Sequence, residues 1–447
     1  MPPKAFIAVV RSARYLDAVI GTPPHILHSN PMMLSMLAPA AVKDVLRFPG
    51  GIHCVRLSGE SIPRIILKLP TNFLLSIKVN QGFKIYAVPV EVSGSASVGL
   101  LCAFFDDADS PLTCWRLLDP SDDTLDLLHA LSKREVLVHI FDEQNRELLG
   151  YSAEVDVPLV SKVRLEHAGF PDFDQKSFHV AHEQAVAWVG LRSAQDDADA
   201  IQVHFTESLF PEDLMVMDMR HDQYTFHGSK GFGFTSLKRE NAGLYQEMDI
   251  INLLLRVFRP DQIYHAPKRF YDKEEIADVV VITDSTCLIV QAKDSPNTEQ
   301  TQNRTLQRKK RASVHMLKGA VTQISGAVKY IVRNRPFRML VDDQEISIDL
   351  GDRQILSLAV VREMFIDTYT EYSQELFSLF DDINFPCIAV DYAELHNYTS
   401  YCGDESRFLG AYFQVFDFAR ANGSFPRLRF GVEDAAMLMR EQGVDGA

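Results

Sequence analysis

Asp278, Gln291 and Lys293 are polar residues set inside two apolar, β-branched runs, in the stretch IADVVVITDSTCLIVQAKD at 276–294. Such runs favour strands, and the intervening Thr283-Asp284-Ser285-Thr286 suits a tight hairpin turn. Pairing Thr283 with Thr286 puts Asp278 directly opposite Gln291. Side chains alternate along a strand, so Lys293, two residues beyond Gln291, shares their face. The Asp278 carboxylate, the Gln291 amide oxygen and the Ala292 carbonyl are oxygen donors of the kind a hard divalent cation takes. Such a cation polarises a phosphate oxygen and lowers the pKa of a bound water. An ammonium at Lys293 can orient the water and offset charge developing on the phosphorus. The chemistry these types and spacings suit is phosphodiester hydrolysis.

The elements around this hairpin read as mixed α/β. Leu244, Met248, Ile251, Leu255 and Phe258 recur at helical steps, which predicts an amphipathic helix before the hairpin. Leu317, Val321, Ile324, Val328 and Ile331 predict a long helix over 311–332 after it. Strands are expected at 345–350, 354–361 and 386–390, with helices at 368–380 and 405–421. The first half is β-rich, with strands expected at 5–10, 62–69, 73–79, 83–92, 97–105, 135–141, 147–155 and 200–205. Helices are expected there at 123–131 and 173–189. The glycine-rich segment 227–243 reads as a linker. The expected organisation is α/β (α+β) overall: a β-rich region over 1–235, which a division near 165 would split in two, then an α/β domain over 236–447 with a central mixed sheet flanked by helices.

The hairpin resembles the PD-(D/E)xK, or restriction-endonuclease-like, nuclease superfamily, in its Q-x-K variant similar to Mrr-type endonucleases. Ala277-Asp278 stands where that family has Pro-Asp, and Gln291-Ala292-Lys293 where it has (D/E)-x-K. The family's helix glutamate is matched by Glu247, and the glutamine of its following helix by Gln323. The resemblance covers about residues 240–340 and departs from the pattern twice: no proline precedes Asp278, and Gln291 replaces an acid. It implies a restriction-endonuclease-like fold and Mg²⁺- or Mn²⁺-dependent cleavage of DNA. In that reading Asp278, Gln291 and Glu247 are metal ligands, Lys293 the catalytic cation and Gln323 a positioning residue. It also implies a place in prokaryotic defence against phage or plasmid DNA, with self-association or a partner such as an Argonaute. An RNase using the same centre, or a nucleic-acid-binding module that has lost catalysis, are the alternatives.

The whole chain, 447 residues with a formal charge of −15, does not favour polyanions by its overall field. A local reversal follows the hairpin, where Arg304, Arg308, Lys309, Lys310, Arg311 and Lys318 predict a nucleic-acid-binding face. Six cysteines without a CxxC pair predict reduced thiols. With no signal-like N-terminus and no long uncharged apolar run, a cytoplasmic protein away from the membrane is expected. Gly228–Gly233 lacks the lysine spacing of a phosphate-binding Walker loop, and no histidine set has zinc spacing.

Overall fold

The computed structural model describes residues 7–11, 33–105, 112–171, 175–219, 223–239, 242–294, 298–334 and 336–428. The chain is of the α/β class, with mixed sheets and packed helices. Among the described residues no helix is long and apolar enough to cross a membrane. Their cysteines are free, and all but Cys114 are buried.

In the first half, eight strands form one sheet in the order Gly51–Val55, Arg64–Lys68, Glu135–Phe141, Glu147–Asp156, Ile201–Ser208, Gly82–Val92, Ser95–Phe104 and Leu112–Leu117. Its pairs are antiparallel except where Arg64–Lys68 runs parallel to Glu135–Phe141. Helix Asp122–Leu131 starts on a Ser121 cap and buries Leu127, Ala130 and Leu131. One expectation fails here. Residues 73–79 are not a strand but part of helix Thr71–Asn80. The alternation of Phe73, Leu75, Ile77 and Val79 mimics a strand, yet Leu74 fills the gap. Leu74 and Ile77 then fall at a helical step and are fully buried. Gln81, at φ 50, ends the helix in a left-handed turn.

The segment 227–243 is also not a simple linker. Its Gly233–Ser236 pairs with Leu214–Asp218, which in turn pairs with Ile7–Arg11. Within it Leu237 enters the core of the first half, while Tyr224 and Phe226, just before it, enter that of the second. Turn-forming glycines mask a short strand and the apolar anchor Leu237.

The second half is built on five strands in the order Ile263–His265, Val279–Ile282, Thr286–Lys293, Gln354–Val361 and Cys387–Asp391. The first three are antiparallel and the last three parallel. Parallel strands covered on both faces need near-continuous apolar runs. Gln354–Val361 accordingly buries every residue after Gln354. The hairpin has the expected register: Val279 faces Val290, Ile282 faces Cys287, and Thr283 N–H donates to Thr286 O at 2.9 Å. Helix Leu306–Arg333 buries Leu317, Ala320, Ile324, Ala327 and Ile331 over this sheet. It lies beside helix Tyr369–Ile383, and helix Ala242–Leu254 lies beside Tyr392–Tyr401. A separate three-stranded sheet of Lys268–Arg269, Phe337–Val341 and Gln344–Ile348 sends Phe337, Met339 and Val341 into the same core.

A charged plug joins the two halves. The turn between strands Glu135–Phe141 and Glu147–Asp156 carries Asp142, Glu143 and Arg146, all buried. Arg146 Nη2 donates to Asp249 Oδ1 at 2.9 Å, and Arg239 Nη2 donates to Asp249 Oδ2 at 2.8 Å. Burial works to raise the Asp249 pKa, but Arg146 and Arg239 outweigh it and hold the group below its ordinary value. Glu143 accepts from Thr71 N–H at 2.7 Å and from the Tyr392 hydroxyl at 2.6 Å. Asp249 therefore ties the helix that carries Glu247 to the first half of the chain.

His396 lies near the same junction, its Nδ1 3.2 Å from Arg256 Nη1. Burial, then the charges of Arg256 and Lys68, push its pKa from 6.5 down to about 4. Between those values the unfolded chain takes up a proton that the folded chain refuses. The stability His396 supports is thus present above pH 6.5 and lost as pH falls toward about 4. His396→Gln should flatten the loss of stability over that interval, measured by urea denaturation. An unchanged slope would show that other groups set the acid limit.

Candidate metal and catalytic centre

Asp278 immediately precedes strand Val279–Ile282 and is 6% exposed. Its backbone carbonyl accepts from Ala266 N–H at 2.8 Å, and its Oδ2 from Ala292 N–H at 2.6 Å. The carboxylate is thereby fixed to the backbone of the Q-x-K strand. Burial, together with the charge of Glu247, raises its pKa, while the Ala292 N–H, Glu275 and Lys293 pull it down; the net direction is upward.

Glu275 is not among the residues the sequence singles out. The residue as a whole is exposed, but its carboxyl end meets Asp278. Partial burial of that end, then the hydrogen bond to Asp278 and the charges of Asp278 and Glu247, push its pKa up to about 8. Lys293 opposes the shift. The hydrogen bond between the two carboxyls thus favours the form in which Glu275 keeps its proton. The sequence holds one signal for this, the acids Asp272, Glu274 and Glu275 just before Asp278. What it does not reveal is the bend at buried Ile276 and Ala277 that carries Glu275 back.

Lys293 is half-buried at the end of its strand. A Cβ at Gly319 would lie 3.8 Å from Lys293 Cε, so the lysine stem runs along a bare stretch of the long helix. Glu247 is half-buried on helix Ala242–Leu254, its Oε2 2.9 Å from His265 Nε2. His265 pairs with Val279, which places Glu247 beside the first strand of the hairpin. Gln291 is 1% exposed, and its Nε2 is buried with no hydrogen-bond partner. Gln323 lies one helical turn beyond Gly319 and faces solvent. The structure thus brings Glu247, Asp278 and Lys293 into electrostatic reach of one another, adds Glu275 and His265, and leaves Gln323 at the rim.

The predicted basic face is partly consumed. Lys310 pairs with Asp367, Lys318 with Glu375 at 3.5 Å and Lys329 with Asp382 at 2.6 Å. These exposed pairs join the long helix to its neighbour and to the turn before it, and contribute little to stability. Arg304, Arg308 and Arg311 remain exposed, with Lys309 half-buried.

Among the described residues no three His, Cys, Asp or Glu side chains form a ready metal cage. The donor chemistry nonetheless fits Mg²⁺, which commonly takes one or two carboxylates and completes its shell with waters and substrate phosphate. Asp278 and the Ala292 carbonyl would hold it, with Gln291, Glu275 or Glu247 adding an oxygen. A carboxyl crowded enough to keep its proton would give it up to such a cation. Bound there, the cation would polarise a phosphate oxygen and acidify a water. Lys293 would hold a water or a phosphate oxygen through its ammonium. His265 would keep the Glu247 carboxylate turned toward the hairpin.

Comparison with protein-family models and with curated proteins finds no match to this chain.

Proposed function

We propose that the second half of the chain is a metal-dependent nuclease that hydrolyses DNA phosphodiesters at the hairpin. The observation that carries this reading is the Asp278 carboxylate, fixed by the Ala292 N–H at 2.6 Å and hydrogen-bonded to Glu275, set beside Lys293 at one end of a hairpin in the Q-x-K register. Buried like charges cost free energy unless a cation relieves them. A site that accepts this cost next to an ammonium suits chemistry on a phosphate. Incubation of the purified protein with circular and linear DNA and with RNA, in Mg²⁺ or Mn²⁺, tests the substrate class. Nicking of circular DNA with RNA left intact supports the reading; cleavage of RNA alone would transfer the centre to an RNase.

A second reading, a nucleic-acid-binding module without catalysis, is favoured by the neutral Gln291 and the absence of a ready cage among the described residues. Gln291→Glu separates the two. Hard cations bind more tightly as ligand charge rises, so a nuclease should need less Mg²⁺ for half-maximal rate, with a smaller change for Mn²⁺. Gln291→Ala should raise the requirement. If neither variant moves it, Gln291 is no ligand.

A further inference from the structure

We propose that Phe270 and Tyr271, at the tip of the loop over residues 267–276, form a stacking platform for an unpaired base of the DNA strand that is cut at the Asp278 centre. This rests on the nuclease reading of the hairpin and names the form of substrate it takes, a strand whose bases are free.

Three features carry the proposal. The rings are open, Tyr271 being 68% and Phe270 39% exposed. They are also held in place. Arg269 N–H donates to Glu274 O at 2.7 Å and Ile276 N–H to Pro267 O at 2.8 Å, which closes the loop on itself. The Tyr330 hydroxyl accepts from Phe270 N–H at 3.3 Å and donates to Arg338 O at 2.7 Å, fixing the tip to the long helix and to strand Phe337–Val341. The Arg338 guanidinium lies 3.8 Å from the centre of the Phe270 ring, and the Tyr271 and Tyr330 rings are 5.9 Å apart. Rings already ordered lose little freedom when a base stacks on them. Finally, the tip is joined to the centre. The second arm of the loop carries Glu275, whose carboxyl end meets Asp278. On the long helix Tyr330, which anchors the tip, follows Gly319, beside which the Lys293 stem runs, by about three turns. Both therefore lie on the same side of that helix, about 16 Å apart along its axis. A stacked strand covers that span with about four or five nucleotides.

The chemistry of the tip suits bases rather than phosphates. Arg269 is engaged by Asp272 at 3.3 Å and Glu274 at 3.0 Å, and Arg338 by Glu345. The loop sets Lys268, Arg269 and Lys273 against Asp272, Glu274 and Glu275, so it brings no surplus charge to a strand's backbone. What it offers is ring faces. Every base has a face to match, which makes such a contact indifferent to sequence. Inside a duplex each base is already covered by its neighbours, and unstacking it costs free energy. The rings therefore favour a single strand or a locally opened one.

The test measures binding by the full-length protein in EDTA, so that it does not depend on catalysis. Fluorescence anisotropy follows a labelled oligothymidylate of about twelve nucleotides, within the span of a single-strand site, across a salt series. The same backbone with every base removed, and a long linear duplex in which ends are a minor share of the sites, are measured alongside. Tyr271→Ala should weaken binding of the oligothymidylate about five- to twentyfold, and Phe270→Ala should act in the same direction. The log–log salt slope should stay that of wild type, because no phosphate contact is lost. Binding of the abasic strand and of the duplex should be unchanged. Tyr271→Trp, which keeps a ring face, should bind the oligothymidylate within about twofold of wild type, whereas Tyr271→Leu, which keeps only apolar bulk, should behave as the alanine variant does. An equal loss on the abasic strand or the duplex, or a flatter salt slope, overturns the proposal. Unchanged affinity for the oligothymidylate overturns it too, even if wild type cleaves DNA, and leaves the rings to a protein partner. A base-dependent loss in a protein that cleaves nothing in any metal keeps the platform and removes the nuclease reading instead.

Discussion

Lys293→Ala is expected to reduce cleavage by about 10²–10³-fold while changing DNA affinity less than about threefold. Its ammonium is the positive group that acts on both Asp278 and Glu275, and its stem rests against Gly319. Preorganised groups that meet charge developing in the transition state are worth about this much. One phosphate interaction among several adds little to ground-state binding. Single-turnover cleavage and anisotropy on the same preparation check the two halves of the expectation. Turnover within about threefold of wild type would remove Lys293 from the mechanism.

Asp249→Ala should cost about 3–5 kcal/mol of stability, the range for leaving buried charges without their partner. Asp249 is 2% exposed and accepts from both Arg146 and Arg239, so its loss strips two buried guanidinium groups at once. Arg146 keeps Asp142, whose own pKa burial pushes up to about 6, so compensation from that side is incomplete. Since Asp249 and Glu247 share a helix, the variant should also loosen the Glu247–His265 contact. Urea denaturation reads the stability. Lys329→Met, which breaks only an exposed pair with Asp382, is the control and should leave the denaturation midpoint nearly unchanged. If Asp249→Ala costs no more than that control, the junction is held by apolar packing.

The hairpin is legible in the sequence because one local feature, the Thr283–Thr286 turn, sets its register, and a register places every side chain on a face. Strand Gln354–Val361 is legible from its near-continuous apolar run, interrupted only by Ser357, of the kind a doubly covered strand uses. Residues 73–79 mislead because four alternating apolar positions match the strand period, which the buried Leu74 breaks. Contacts distant in sequence leave no local trace. Arg146 and Asp249 stand 103 positions apart, and Lys310 and Asp367 stand 57 apart. For that reason the basic run after the hairpin reads as one open face, whereas neighbouring acids engage part of it. Glu275 escapes a sequence reading because only a bend in the chain turns it toward Asp278.

The claim that this hairpin is a metal-dependent phosphodiesterase centre is tested most directly through Asp278, the carboxylate fixed to the Q-x-K strand by the Ala292 N–H. Wild type and Asp278→Asn, matched for folding by circular dichroism, are incubated with supercoiled plasmid in Mg²⁺, in Mn²⁺ and in EDTA, and the rate of conversion to nicked circles is measured. Conversion by wild type in either metal, none in EDTA, and a loss of about 10²-fold or more in Asp278→Asn is the predicted result. Equal rates for the two proteins, or conversion that persists in EDTA, would contradict the account.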